Sequence, residues 1–316
     1  MNITALTSTD QQTRAIERPR PLQSVMAWEL RRFRASRLFW LQALGFFCLL
    51  LFVMWASRAP EQFGTVHGTV AINGFVAGTS AWGLLRTLPI ALVLLVLLLP
   101  FVNADGVTRD LQRRTHELLM TTALPTWAYV WGRYLIGLLM SLGLAVLLLA
   151  AILGMGLLLH LTIPAYPLPP TGAVLLLWVG MALPATVLVS SLGFALGTLL
   201  PRLTNLVKIV ILVGWVIGAV MLPSGFNTTT PPAWYVNWDP TSAVTALGIL
   251  PQYSGNFNGL QGVTSEAQLQ QIFLPIENKM PDIAGWFAPH LLLAGFSLGL
   301  VLVTALAFKR SRDVLN

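Results

Sequence analysis

The sequence predicts an all-α integral membrane protein with six transmembrane helices. It also predicts an N-terminal amphipathic surface helix, a cytoplasmic helix between spans 2 and 3, and an outer helical loop between spans 5 and 6. Of its 316 residues, 55% are hydrophobic and 10% charged, against about 25% charged in soluble domains. Apolar runs of near membrane-spanning length, about 20 residues, cover residues 38–57, 84–104, 129–161, 172–200, 206–222 and 286–308.

The distribution of basic residues predicts how these spans are oriented. Sixteen of the 19 lysines and arginines fall on the side that carries both termini, and only Arg58, Arg86 and Lys279 fall on the other. Because positive charge accumulates on the cytoplasmic side of membrane proteins, both termini are predicted to be cytoplasmic, in an inner or plasma membrane. The net charge of +7 therefore indicates topology and contact with membrane lipid, and nucleic acid is not a predicted partner.

The N-terminal region divides into a tail and a surface helix. Residues 1–21 are polar and predict a flexible cytoplasmic tail, whereas residues 22–37 predict an amphipathic interfacial helix. The apolar positions of that helix are Leu22, Val25, Met26, Leu30 and Phe33. Glu29 interrupts this stripe, and two interpretations stay open: a local i,i+3 pair with Arg32, or a contact with Arg113 or Arg114.

Residues 38–308 form the predicted six-span domain. Kinks are expected at Pro89, Pro100 and Pro184, because proline removes a helix hydrogen bond. The lone cysteine, Cys48, is interpreted as a buried, unreactive thiol. The third span is expected to begin in the cytoplasm with an interfacial aromatic belt of Trp127, Tyr129, Trp131 and Tyr134. Glycine pairs spaced by four predict close helix packing, at Gly193/Gly197, Gly214/Gly218 and Gly295/Gly299.

The segment 223–285 predicts an extracytoplasmic loop with structure of its own, because a connection this long is usually functional. Asp239-Pro240 is a helix-start signal and Gly248 a stop. Ser265 with Gln268 predicts the start of a second short helix. Residues 309–316 are interpreted as a cytoplasmic tail.

Motifs for catalysis, phosphate binding or metal binding are not found in the sequence. It has no phosphate-binding loop ending in Gly-Lys-Ser/Thr, no HExxH motif and no paired metal-ligand spacing. No catalytic, cofactor or metal site is therefore predicted, and the chain is expected not to be an enzyme. The middles of the six predicted spans also lack Asp, Glu, Lys and Arg, which ion-coupled carriers usually place there. Any energy for transport is thus expected to come from another protein.

A polar hinge between spans 2 and 3 is where such a protein could act. Residues 108–124 predict an amphipathic helix that ends before Pro125, with one stripe formed by Leu111, Thr115, Leu118 and Thr122. A short helix joining the ends of two spans can transmit force to both of them.

The hinge resembles that of membrane subunits of ATP-binding-cassette exporters. The matching residues are Glu117-Leu118-Leu119, Thr121-Thr122, Pro125 and Gly132-Arg133. Among these transporters, the sequence is similar to the second bacterial permease class, whose fold is shared with G-type half-transporters. This similarity implies that 108–124 is a coupling helix on a separate ATPase subunit. The resemblance implies that the ATPase subunit is contacted by Arg109, Arg113, Arg114, Glu117, Leu118 and Thr121. It further implies two ATPase copies, which bind the ATP and Mg, and a second permease, identical or homologous.

Other functional classes stay open at this stage. An ion-coupled carrier or channel would need a charge within a span, and an intramembrane enzyme would need a paired catalytic constellation. A non-transporting scaffold or sensor subunit is a further alternative. The apolar spans slightly favour an amphipathic or lipid-like cargo for a transporter.

Overall fold

The computed structural model describes residues 21–58, 76–105, 125–164, 166–226, 230–253 and 266–314, and these contain helices but no strand. The helices are α1 Pro21–Ala35, α2 Arg37–Ala56, α3 Ala81–Asn103, α4 Thr126–Thr162, α5 Thr171–Leu199, α6 Pro201–Ser224, α7 Ala233–Trp238, α8 Ala243–Ile249, α9 Glu266–Glu277 and α10 Phe287–Val314.

Six of the described helices are long and apolar enough to cross a membrane: α2, α3, α4, α5, α6 and α10. The predicted all-α, six-span class is therefore confirmed, with span ends that agree to within about five residues. We call the end of the bundle that carries α1, Asp105 and Pro125 the hinge end. The opposite end, which carries α7, α8 and α9, is the loop end.

Helices α3 and α5 form the centre of the bundle. In the most apolar stretch of each, 56% of residues are buried, against 17% in α6 and in α10. Side chains from several helices fill this centre, among them Leu50, Leu92, Leu148 and Val189. The outer faces of α2, α6 and α10 stay apolar and exposed, as expected for surfaces that contact lipid or another membrane subunit.

Close packing of α5 on α3 depends on glycine. A Cβ at Gly197 would collide with the backbone carbonyl of Ala104, whereas one at Gly193 would lie 3.6 Å from Pro100 Cα. The predicted packing role of Gly193 and Gly197 is thus confirmed. Gly218 also makes a close approach, since a Cβ there would lie 2.7 Å from Thr241 Cγ2. The prediction is wrong for Gly214, Gly295 and Gly299, since no described atom lies within 4 Å of a Cβ placed at any of these positions.

Near Pro184, where a kink is expected, α5 contains a π-helical turn, Trp178–Ala182. A second π turn, Ile217–Met221, likewise precedes a proline, Pro223. Proline has no N–H to give to the carbonyl four residues earlier, which for Pro184 is that of Gly180. This carbonyl accepts a hydrogen bond from His290 Nδ1 of α10 at 3.0 Å. Pro89 and Pro100, by contrast, lie within one continuous helix, α3.

The loop end contains both predicted short helices, as α8 and α9, and a further helix, α7, that the sequence did not predict. Asp239 marks the start of α8 as expected. Its side chain is buried and accepts hydrogen bonds from the Val244 N–H at 2.7 Å and the Thr241 N–H at 2.9 Å. Negative charge at the N-terminus of a helix is favourable because the first N–H groups have no helical partner and carry partial positive charge.

Hydrogen bonds and one aromatic contact hold the loop together and attach it to the beginning of α3 and the residues just before it. Glu277, at the end of α9, accepts a hydrogen bond from the Ala77 N–H at 2.9 Å. Tyr253 donates to the Lys279 carbonyl at 2.8 Å and stacks on Trp82 of α3. Burial raises the pKa of Tyr253 above its ordinary value, so its hydroxyl stays a donor at neutral pH.

Three predictions about individual segments need correction. Tyr134 is buried rather than interfacial, because it lies on the face of α4 that contacts α5. Cys48 is exposed rather than buried, because α2 turns that face away from the bundle. Helix α10 continues to Val314, through most of the predicted 309–316 tail. Residues 1–20 of the N-terminal tail lie outside the described residues.

Candidate functional site

The polar hinge is the candidate functional site, and the structure describes its two flanks. The predicted helix 108–124 lies outside the described residues, as do Arg109, Arg113, Arg114, Glu117, Leu118 and Thr121. Asp105 precedes this segment, directly after α3, and Pro125 follows it, directly before α4. Each flank is held by a group of charged side chains, which we call the α1 anchor (Glu29, Arg32 and Arg133) and the α6 anchor (Asp105 and Lys208).

The α1 anchor is one buried carboxylate shared by two guanidinium groups. Glu29 is 2% exposed and Arg133 3% exposed, with Arg133 Nε 3.0 Å from Glu29 Oε1. The Arg133 Nε atom makes no hydrogen bond, so its contact with Glu29 Oε1 is an ion pair. Arg32 Nη1 lies 2.8 Å from Glu29 Oε2. A carboxylate this deeply buried needs such partners, because leaving it unpaired is costly.

The sequence of α4 explains how α1 reaches it. A Cβ at Gly132 would lie only 2.7 Å from Val25 Cγ1 of α1, so glycine permits the close approach. The buried face of α1 consists of Val25, Glu29 and Phe33, at the spacing of one helix stripe. Arg133 directly follows Gly132 in the sequence, so the same close approach of α1 brings its side chain to Glu29. Its guanidinium also lies 4.5 Å from the centre of the Tyr129 ring, a cation–π contact.

The α6 anchor joins the end of α3 to the beginning of α6. Lys208 Nζ lies 2.6 Å from Asp105 Oδ1. Lys208 is buried along its stem and lies 5.1 Å from the centre of the Phe101 ring, whereas the Asp105 side chain is 29% exposed. The hinge flank is thus connected to a span that follows it by about a hundred residues in the sequence.

Polar contacts continue from the flanks into the bundle. Asn103 Nδ2 donates to Ser141 Oγ at 2.8 Å and joins α3 to α4. Ser191 donates to the Val187 carbonyl, as expected for a hydroxyl within a span, and Tyr134 lies 2.8 Å from the same hydroxyl. This contact joins α4 to α5. The helices at the hinge end are therefore connected pairwise by hydrogen bonds as well as by apolar packing.

The sequence predicted part of this site. The i,i+3 pair of Glu29 with Arg32 is present, and any contact of Glu29 with Arg113 or Arg114 lies outside the described residues. Arg133 as a partner of Glu29, and the pair Asp105–Lys208, were missed. A signal for both existed, because Arg133 and Lys208 fall inside predicted apolar spans, where a cation requires a partner.

A resident metal site is not visible in the described part of the chain. No group of three or more His, Cys, Asp or Glu side chains there could hold a metal ion. Arg133 pairs with Glu29 and Lys208 with Asp105 between helices, an arrangement suited to holding elements together.

Comparison with models of protein families identifies the family of this chain. The sequence model of the family described as ABC-2 family transporter protein matches residues 74–308, a range that includes spans α3 to α6, the hinge and most of α10. A search of curated proteins finds no match.

Proposed function

Because the chain belongs to the ABC-2 family of transporter proteins, and is therefore the membrane subunit of an ATP-binding-cassette transporter, we propose that it is an exporter permease driven through helix 108–124. In this proposal, a separate ATPase subunit binds that helix and supplies the energy. Arg109, Arg113, Arg114, Glu117, Leu118 and Thr121 make the contacts.

The observation that supports this proposal is that both hinge flanks are tied to other helices. A displacement of 108–124 acts on α3 through Asp105 and on α4 through Pro125. Since Asp105 pairs with Lys208 and Arg133 pairs with Glu29, α6 and α1 move with them. The central position of α3 then passes the displacement to α5. A partner that binds two positions of the hinge with different affinity would shift the bundle between two conformations.

The proposed assembly has two membrane subunits, identical or homologous, and two ATPase subunits that bind ATP and Mg. Both termini and the hinge face the cytoplasm of an inner or plasma membrane, in agreement with the distribution of basic residues. The exposed apolar faces of α2, α6 and α10 are the surfaces available for lipid and for the second membrane subunit.

A charge reversal in the hinge tests the proposal. The complex of the permease with its co-purified ATPase is reconstituted in liposomes with the variant Glu117→Lys. We expect ATPase activity stimulated by the permease to fall about tenfold or more, since loss or reversal of a contact charge costs one to several kcal/mol. Membrane insertion and the yield of the permease stay unchanged.

The matched control is Asp282→Lys, which reverses an exposed acidic residue at the loop end and keeps the stimulated activity. Normal stimulation with Glu117→Lys would contradict the proposal. ATP-independent transport by the purified permease alone, driven by an ion gradient, would contradict it as well and would favour a carrier.

A further inference from the structure

A groove of about 430 Å³ opens at the hinge end beside the α1 anchor. The end of α1, the first turns of α2 and the end of α3 form its walls. The residues that matter for its chemistry are Arg32, Ser36, Phe39, Gln42, Phe101 and Asp105.

The groove has a polar end and an apolar wall. Arg32 and Asp105 lie at the polar end, and Leu38, Phe39 and Phe101 provide the wall. Leu38 is 64% exposed and Phe101 52% exposed, and each lies near the end of a membrane-spanning helix. Since α1 meets the first span here, the groove lies at the depth of lipid headgroups, with its apolar wall facing the acyl chains.

The charges around the groove are mostly positive. Arg31, Arg34 and Arg37 are exposed on α1 and at the beginning of α2. Glu29 is a single carboxylate facing two guanidinium groups, and Asp105 is balanced by Lys208. The cations named here, with Arg32, Arg133 and Lys208 included, thus number six against two carboxylates. The N-terminus of the 20-residue helix α2 opens beside the groove and adds the positive end of its dipole.

We propose that this groove binds an anionic phospholipid of the cytoplasmic leaflet. The phosphate lies against Arg32, whose guanidinium fork suits phosphate oxygens, and the acyl chain runs along Phe39 and Phe101. The choice of leaflet rests on the orientation given under Proposed function, and that leaflet is rich in anionic lipid. The bound lipid thus contacts the same arginine that pairs with Glu29 in the α1 anchor.

Lipid retention by the purified permease tests this proposal. The protein is purified in mild detergent, and its binding of added phosphatidylglycerol and phosphatidylcholine is measured by native mass spectrometry. Two variants remove the site in different ways: Arg32→Gln removes the phosphate contact, and Gln42→Trp fills the groove without changing a charge. Arg31→Gln is the matched control, because it removes an exposed arginine that does not line the groove.

We expect the wild type to retain phosphatidylglycerol in preference to phosphatidylcholine. Arg32→Gln should lower that retention about tenfold, the effect of losing one charge-assisted contact. Gln42→Trp should lower it by a similar factor because the larger side chain blocks the groove, and Arg31→Gln should leave it unchanged. Inorganic phosphate at millimolar concentration should not displace the lipid, because it cannot use the apolar wall.

Three results would overturn the proposal. An equal loss of phosphatidylglycerol retention with Arg31→Gln would indicate that a diffuse cationic surface binds the lipid. Unchanged retention with Gln42→Trp would exclude the groove as the binding site. Displacement by inorganic phosphate would indicate a site for the free anion. Because the measurement requires no ATPase subunit, its outcome is independent of whether helix 108–124 couples the permease to ATP hydrolysis.

Discussion

Arg133 of α4 lies 3.0 Å from Glu29 of α1, and the two side chains are 1% and 3% exposed. Removing both charges from water costs several kcal/mol per ion, so the pair itself adds little net stability. Removing one partner is different, because the other charge is then left buried. The pair therefore fixes the position of α1 on α4 rather than strengthening the fold as a whole.

A double-mutant cycle tests this role. We expect Arg133→Met to lower the free energy of unfolding by about 3 kcal/mol, because the buried Glu29 carboxylate loses its ion pair with Arg133. The double variant Glu29→Gln/Arg133→Met should be less destabilised than the sum of the single variants. Thermal unfolding in detergent measures this, with Arg31→Gln as an unaffected control. Strict additivity would show that the two side chains do not interact.

The glycines of α5 provide a second test. Gly197→Ala should reduce stability strongly, because the new methyl group meets the rigid carbonyl of Ala104, and overpacking of this kind costs about 1–3 kcal/mol. Gly193→Ala is the matched control, since its methyl group would make an ordinary contact at 3.6 Å. Equal melting temperatures for the two variants would contradict the close approach of α3 and α5.

A charge swap tests the α6 anchor. Asp105→Lys and Lys208→Asp should each lower the permease-stimulated ATPase activity, and the double variant should restore most of it by re-forming the pair. Since Asp105 is partly exposed, the stability contribution should be small, at most about 1 kcal/mol. Activity and melting temperature are measured on the same preparations. Failure of the double variant to recover, with normal folding, would argue against coupling through this pair.

Asp239 allows a prediction at the loop end. Asp239→Ala should lower stability by about 1–2 kcal/mol, because the first N–H groups of α8 lose their acceptor. Asp282→Ala changes an acidic residue of the same loop that is exposed and should have a much smaller effect. Similar melting temperatures would show that the buried carboxylate does not support α8.

Much of the fold could be predicted from the sequence because a membrane imposes length and composition on each span. The apolar run 172–200 predicted α5 to within a residue at each end. Asp239 predicted the start of α8 through a local hydrogen bond that depends only on neighbouring residues.

What could not be predicted depends on which face of a helix meets another helix. Tyr134 and Cys48 lie in runs where nearly every residue is apolar, so periodicity does not distinguish the bundle face from the lipid face. The partner of Glu29 was missed for a related reason. Arg133 is about a hundred residues away in the sequence, and only the approach of α1 at Gly132 brings the two charges together.

Binding of residues 108–124 to a separate ATPase subunit on the cytoplasmic side is the proposal on which the coupling mechanism depends. Its most direct test is photocrosslinking from Leu118→Cys, placed in a Cys48→Ala background so that the new thiol is the single cysteine, in sealed inside-out membrane vesicles. We predict that a membrane-impermeant maleimide photoprobe reaches this position and crosslinks it to the ATPase subunit, whereas Lys279→Cys gives no such product. Labelling of Leu118→Cys only from the opposite side of the membrane, or no crosslink to the ATPase in an active complex, would contradict it.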